Sequence, residues 1–364
     1  MMNTGRNSQK AGLRLVILSL IILHLFSSIS NAQVSALMTL PQVGLIPGGP
    51  IDDQSFNQMA YAGLTRAFDA SLIAFPSVYQ PTGNTEPDYD AAIAQCVAAG
   101  NSLCVTVGFM MGNSTMNAAI NNPSVHFAIA DMTWDEPSYP ANLRGMHFSV
   151  EEAAYLAGTL AGLMTETDKI GIVAGMAIAP VDDFVFPYIY GAQWANHSVY
   201  SMLDYANDFS NEALGAALAQ SQIDRGADVI LGVGGMMGNG AIRQAGLQSK
   251  YCIGVDVDAY YTVFESGTAP GADYLLTSIL KRIDNAVYDT IVAHVNDTFT
   301  SGTHIYDVEN GGVGLAPYHY TEPDIPPEVI SYLEDVAAGI ADGSIDVWQD
   351  RKSTRLNSSH ESPS

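Results

Sequence analysis

Apolar residues along the chain fall mostly in short unbroken runs, separated by longer stretches in which they recur every three or four positions. The runs at 43–46, 72–75, 103–107, 126–130, 169–174, 199–205, 229–233 and 251–255 read as strands. Several are continuous rather than alternating, the pattern of parallel strands covered on both faces. Between them, residues 55–70, 88–99, 115–121, 150–164, 184–195, 211–225 and 240–248 read as helices. Residues 275–295 read as one long amphipathic helix carrying Lys281 and Arg282, followed by strand and turn through THIYDVENGGVGLAP and a terminal helix over 326–340. This alternation predicts an α/β fold of parallel sheets joined by right-handed crossovers. One series of elements precedes Val150 and another follows Lys169, so two similar lobes are expected, although no residue-level repeat relates them. No low-complexity linker divides them, which implies that the chain crosses between lobes more than once.

Both ends depart from this pattern. Arg6, Lys10 and Arg14 precede an apolar run over 15–26, and Ser30-Asn31-Ala32 offers a small-residue cleavage site, so residues 1–32 read as a secretory signal peptide. An uncleaved anchor fits less well, because the run is shorter than the roughly 20 residues a membrane span needs. No cysteine follows the cleavage site to carry a bacterial lipid anchor. At the other end, DRKSTRLNSSH abruptly adds Arg351, Lys352 and Arg355, and residues 350–364 read as an adapter-derived, non-native tail. Without these ends, lysine plus arginine falls from 14 to 8 and aspartate plus glutamate from 38 to 36, leaving −28 over residues 33–349. Such a surface repels nucleic acid and anionic membranes and suits an extracellular or periplasmic protein.

Cys96, Cys104 and Cys252 allow two readings: a Cys96–Cys104 disulfide in an oxidising compartment, or three small buried core residues. Asn113, Asn196 and Asn296 begin glycosylation triplets if the host is eukaryotic.

Sites in open α/β sheets form at the carboxyl ends of strands. There the sequence places Gly48-Gly49, Asp52-Asp53 with Ser55-Phe56-Asn57, Gly108-Phe109, Asp131, Asp208-Phe209, Gly234-Gly235 and Asp256-Val257-Asp258. Ser55, with Gln58 three positions on, forms a capping-box pattern, and Asp52 and Asp53 stand near the positive end of the same helix. Catalysis is not favoured: there is no G-x-S-x-G elbow, and the histidines are scattered. Metal-ligand spacing is absent, and GVGGMMGNG, from Gly232 to Gly240, is neither a P-loop nor a clean dinucleotide fingerprint. The set fits a small polar ligand instead, with Phe56 and Phe209 clasping a flat ring, Asp131 accepting from ring nitrogens and Asp256 from sugar hydroxyls. Lys281 is one of only eight basic residues in the trimmed chain.

GPIDDQSFNQMAYAGL, VGFMMGNS, HFAIAD, EEAAYLAGTLAGLMTETDKIGIVAG, RGADVILGVGG, CIGVDVD and LLTSILKRIDNAVYD, in that order, resemble the basic membrane protein family, the Med/PnrA-like substrate-binding proteins. The resemblance runs from about Val43 to Val347. It implies a type I periplasmic-binding-protein-like fold, two Rossmann-like lobes closing on a purine nucleoside for delivery to an ABC importer. Lobe 1 is expected over 40–148 plus a segment near 275–300, and lobe 2 over 149–270 plus the C-terminal segment. Matched motif by motif, it implies ligand contacts from Phe56 with the neighbouring Asn57, Asp131, Phe209, Gly234, Gly235, Asp256 and Lys281, the last four on the ribose side, with no cofactor and no metal. The partners it implies are a nucleoside-like ligand and a membrane permease or receptor. The chain departs from the family where the first strand ends Ile46-Pro47-Gly48-Gly49 rather than in Thr-Asp, which removes one acidic contact. A secreted sensor of the same fold and a nucleoside hydrolase are the alternatives to transport.

Overall fold

A computed structural model describes residues 40–134, 139–345 and 347. The signal-like segment and the basic tail lie outside the described residues. Two six-stranded sheets form the frame. The first runs β11-β5-β4-β3-β1-β2 and comprises β1 (Val43–Pro47), β2 (Pro76–Val78), β3 (Leu103–Val107), β4 (His126–Ala130), β5 (Leu143–Phe148) and β11 (Gly302–Tyr306). All its pairings are parallel. The second runs β12-β10-β9-β8-β6-β7, from β6 (Lys169–Ala174), β7 (Tyr200–Tyr205), β8 (Val229–Val233), β9 (Tyr251–Asp256), β10 (Leu275–Lys281) and β12 (Val313–Leu315). Only β12 runs antiparallel there, against β10.

Helices cover both faces: α1 (Phe56–Asp69), α2 (Glu86–Ala98), α3 (Gly112–Asn121), α4 (Val150–Met164), α5 (Ala179–Ala195), α6 (Glu212–Asp224), α7 (Gly235–Leu247), α8 (Ile283–Val295) and α9 (Pro327–Ala341). The central strands β1, β3 and β8 are buried at every position, which is why their sequences show no alternation. The chain passes from the first sheet to the second after β5, returns after β10 to form α8 and β11, and crosses again to β12.

Three elements differ from the sequence expectation. Residues 275–281 form the inner strand β10 rather than the start of a helix, so this part of the segment expected in lobe 1 belongs to the second sheet. A short buried apolar run fits either state by periodicity, and here parallel pairing with β9 decides, with Thr277 Oγ1 donating to Ala316 O at 2.7 Å. Residues 72–75 form a turn with Ile73 buried, and the edge strand starts one residue later at Pro76, which needs no ladder donor at that position. β5 was hidden by Arg144 and His147. Arg144 is 3% exposed, donates to Thr300 O at 2.9 Å and sits 4.5 Å from the centre of the Phe299 ring, which accounts for its burial in a strand.

Cys96 of α2 and Cys104 of β3 are joined by a disulfide, and Cys252 is free and buried, so the disulfide reading holds over the three-core-cysteine one. Closing so short a loop is worth about 2.5 kcal/mol of unfolded-state entropy. The double variant Cys96→Ala/Cys104→Ala is expected to lose that amount in urea unfolding and to become indifferent to dithiothreitol. Asn113 and Asn296 are exposed, whereas the Asn196 amide is tied to Asp168 at 2.8 Å and to Gly162 O at 3.3 Å.

Candidate functional site

The turn from β1 into α1 explains the paired aspartates. Asp53 is 5% exposed, and its Oδ1 accepts from the backbone N–H of Ser55 at 2.9 Å and of Gln58 at 3.1 Å. Its Oδ2 accepts from the Asn57 N–H at 3.0 Å and from Asn57 Nδ2 at 2.9 Å. Asp53 therefore satisfies the orphan donors of the helix start, where negative charge is favoured. The capping box expected from Ser55 and Gln58 does not form. Ser55 instead donates its hydroxyl to Asp256 Oδ2 at 2.6 Å, a charge-assisted bond across the cleft to the other lobe. Asn239 Nδ2 to Asp53 O at 3.1 Å and Arg243 Nη2 to Gln54 Oε1 at 3.2 Å tie the same turn to α7. Asp52 is exposed.

Between the lobes, at the carboxyl ends of β1, β3, β4, β8, β9 and β10, lies a cavity of about 390 Å³. Phe56, Asn57, Asp131, Phe209, Gly234, Gly235, Asp256 and Lys281 all line it. Phe56 projects from the first position of α1. Phe209 comes from the loop after β7, and its ring packs over two glycines. A Cβ added at Gly175 would stand 2.3 Å from the ring, and one at Gly234 2.9 Å from it. Gly234 also holds φ +119, a conformation that favours glycine. The glycine-rich stretch is therefore the seat of Phe209 and the first turns of α7, which begins five residues before the expected helix. Asn57 Oδ1 accepts from Gly49 N at 3.2 Å, so this side chain braces the turn as well as lining the cavity.

Charge is concentrated at one end. Lys281, the last residue of β10, is 2% exposed, and its Nζ lies 2.5 Å from Asp131 Oδ1. The ammonium is surrounded by the rings of Phe56, Phe148 and Phe184 at 5.1, 5.3 and 5.5 Å, close enough for cation–π attraction. Lys281 thus pairs with the carboxylate assigned to the ring as well as lying beside the one assigned to the sugar. Burial pushes the Asp256 carboxyl up to about 6, against the opposing pull of Lys281 and the Ser55 hydroxyl. Asp131 and Asp256 both sit in the left-handed region, at φ 64 and 69, backbone strain of the kind that gathers at functional sites.

Sequence reasoning missed Tyr89, Met176, Val181 and Phe184, which also line the cavity. Tyr89 and Phe184 lie on helices among apolar neighbours, where their pattern is that of core residues. His126 and His294, far apart in sequence, meet through their Nδ1 atoms at 2.9 Å, but neither lines the cavity. Among the described residues no group of three or more His, Cys, Asp or Glu is placed to hold a metal ion, and no helix is long and apolar enough to cross a membrane. Chemically, the cavity offers two aromatic faces, acceptors at one end and one neutralised lysine. Such a set can stack against a flat ring and accept hydrogen bonds from its polar groups.

The family of ABC transporter substrate-binding proteins described as PnrA-like matches residues 40–343. A CD4+ T-cell-stimulating antigen of Listeria innocua is 31% identical over 314 residues, covering 82% of this chain and 85% of that protein. The ABC transporter nucleoside-binding protein BmpA of Lactococcus lactis is 29% identical over 308 residues, covering 82% and 86%. Among solved structures, a solute-binding protein of an ABC transporter system from Aeropyrum pernix shares the fold with a TM-score of 0.73 at 24% identity, covering 84% of this chain and 92% of that one. The chain belongs to the PnrA-like family of ABC transporter substrate-binding proteins.

Proposed function

We propose that this protein is an extracellular or periplasmic binding protein that captures a purine nucleoside between its lobes and passes it, chemically unchanged, to an ABC-type permease. The observation that carries this reading is the pairing of two half-buried aromatic rings, Phe56 and Phe209, with buried carboxylates at one end of a single interlobe cavity. The rings hold the base by stacking, Asp131 with its Lys281 partner reads ring nitrogens, and Asp256 accepts from the ribose hydroxyls. A relative of similar length carries the nucleoside-binding name, which supports the same ligand class. Four carboxylates, at Asp53, Asp131, Asp208 and Asp256, against the single ammonium of Lys281 disfavour a phosphorylated ligand. Each of those carboxylates is engaged, Asp53 and Asp208 by backbone donors, Asp131 by Lys281 and Asp256 by Ser55, which supports capture.

The test is equilibrium dialysis with radiolabelled inosine, followed by chromatography of the bound fraction. One intact nucleoside per chain is expected; recovery of free base and ribose would replace capture with hydrolysis.

Affinity should also depend on pH through Asp256. Ribose hydroxyls need the carboxylate form as acceptor, and the group titrates near 6. Protonation competes with the ligand below that pH, so the dissociation constant is expected to rise about tenfold between pH 7 and pH 5. Asp256→Asn should bind more weakly throughout and lose this pH dependence; a flat profile in the wild-type chain would count against the ribose role.

A further inference from the structure

The turn that carries Asp53, Ser55 and Phe56 belongs to the first lobe, but its polar groups bond into the second. Ser55 reaches Asp256 at the end of β9 at 2.6 Å. From α7, Asn239 Nδ2 donates to Asp53 O at 3.1 Å and Arg243 Nη2 to Gln54 Oε1 at 3.2 Å. The chain passes between the lobes after β5, β10 and β11, so these bonds join surfaces that no nearby covalent link holds together. Asp53 and Asp256 line the cavity, whereas Gln54 and Arg243 do not.

Arg243 is oriented from within its own lobe. Its Nη1 pairs with Glu212, the first residue of α6, and its Nη2 also donates to Val263 O at 3.3 Å. With the planar guanidinium held this way, Nη2 is presented to Gln54 rather than left to wander on a flexible stem. The side chain is 31% exposed, so solvent screens the contact only in part. On the other side Gln54 holds φ 55, in the left-handed region that glycine, asparagine and aspartate enter more readily. Backbone strain of this kind persists where the surroundings fix a residue, and it gathers at ligand clamps and switch regions.

We infer that Arg243 is a positioning residue for capture. It lies outside the cavity, and by holding Gln54 it keeps the turn bearing Asp53 and Phe56 against α7, so that the two halves of the cavity stay assembled. This deepens the nucleoside reading and rests on it for the choice of ligands. Apparent affinity is the intrinsic affinity scaled by the fraction of molecules in the binding-competent arrangement. A group acting on that fraction changes the affinity for every ligand by one factor, whereas a group touching the base changes it unequally.

Arg243→Ala and Gln54→Asn test the inference with inosine, adenosine and guanosine. Asparagine accepts the left-handed backbone, but it is one carbon shorter, which takes its oxygen out of reach of Nη2. It also leaves the Glu212 and Val263 contacts of Arg243 in place, so this variant decides the matter should Arg243→Ala loosen the second lobe. Each variant is expected to bind all three nucleosides roughly fivefold more weakly, by factors that agree within about twofold. The double variant should bind no more weakly than Arg243→Ala alone, because both changes remove the same bond. A fivefold loss leaves at most about a fifth of the variant molecules assembled. Small-angle scattering without ligand should therefore give both variants a larger radius of gyration than the wild-type chain. Unequal losses among the nucleosides, losses that multiply in the double variant, wild-type affinity in Gln54→Asn, or equal radii would each overturn the role of Arg243 and leave the nucleoside reading intact. If the wild-type chain binds none of the three, that reading falls and the radii alone decide the role of Arg243.

Discussion

Replacing Lys281 by methionine is expected to lower the melting temperature by about 10 °C at neutral pH. The lysine side chain is 3% exposed and its partner Asp131 11%, and the ammonium also pulls on Asp256. Breaking a buried pair by removing one member costs about 3–5 kcal/mol, because the remaining charge is stranded, and each kilocalorie shifts the melting point of a chain this size by roughly 2–4 °C. The pH dependence identifies the cause. Without Lys281 the folded-state pKa of Asp256 rises further above its unfolded value, so the folded state keeps a proton that the unfolded state releases above about pH 4. The penalty therefore grows as pH rises toward neutrality and shrinks in acid. Scanning calorimetry at pH 4.5 and 7.5 should show the deficit of the variant narrowing at the lower pH. An equal deficit at both would mean that lost packing against Phe56, Phe148 and Phe184, rather than stranded charge, sets the loss.

The second large effect is on binding. Phe56→Ala removes one of the two faces proposed to clasp the base, and base–aromatic stacking is worth about 1–3 kcal/mol by alanine substitution. A loss of roughly thirtyfold in nucleoside affinity is expected, close to 2 kcal/mol. Phe209→Ala should weaken binding in the same range, since its ring is positioned by the glycine floor of the opposite lobe. If either variant binds within threefold of wild type, its ring is not part of the clasp.

Much of this arrangement was legible in the sequence, for reasons that particular elements make plain. β3, β4, β6 and β8 match the expected runs end to end, because strands buried on both faces must be continuously apolar. Asp131 and Gly234, which line the cavity, follow directly on β4 and β8, where the topology of an open sheet gathers side chains. The same logic misread β10. Its run LLTSILK is continuous with the apolar face of α8, and only pairing with β9 separates strand from helix. That error placed Lys281 on a helix, although it ends a strand and so points into the cavity. Local capping rules failed at Ser55 for a similar reason. The hydroxyl has a better acceptor in Asp256, which lies 201 positions away, and the helix start is left to Asp53. Tyr89 carried no signal at all, since an aromatic on the apolar face of a helix looks the same whether it only packs in the core or also lines a cavity.

Isothermal titration of the protein with inosine and with inosine 5′-monophosphate tests the central claim most directly. The account predicts saturable binding of one inosine per chain, and affinity at least a hundredfold lower for the monophosphate, whose added charge meets the acidic excess of Asp53, Asp131, Asp208 and Asp256. Equal binding of the two, or no heat with any nucleoside while a sugar or an amino acid saturates the site, would contradict it.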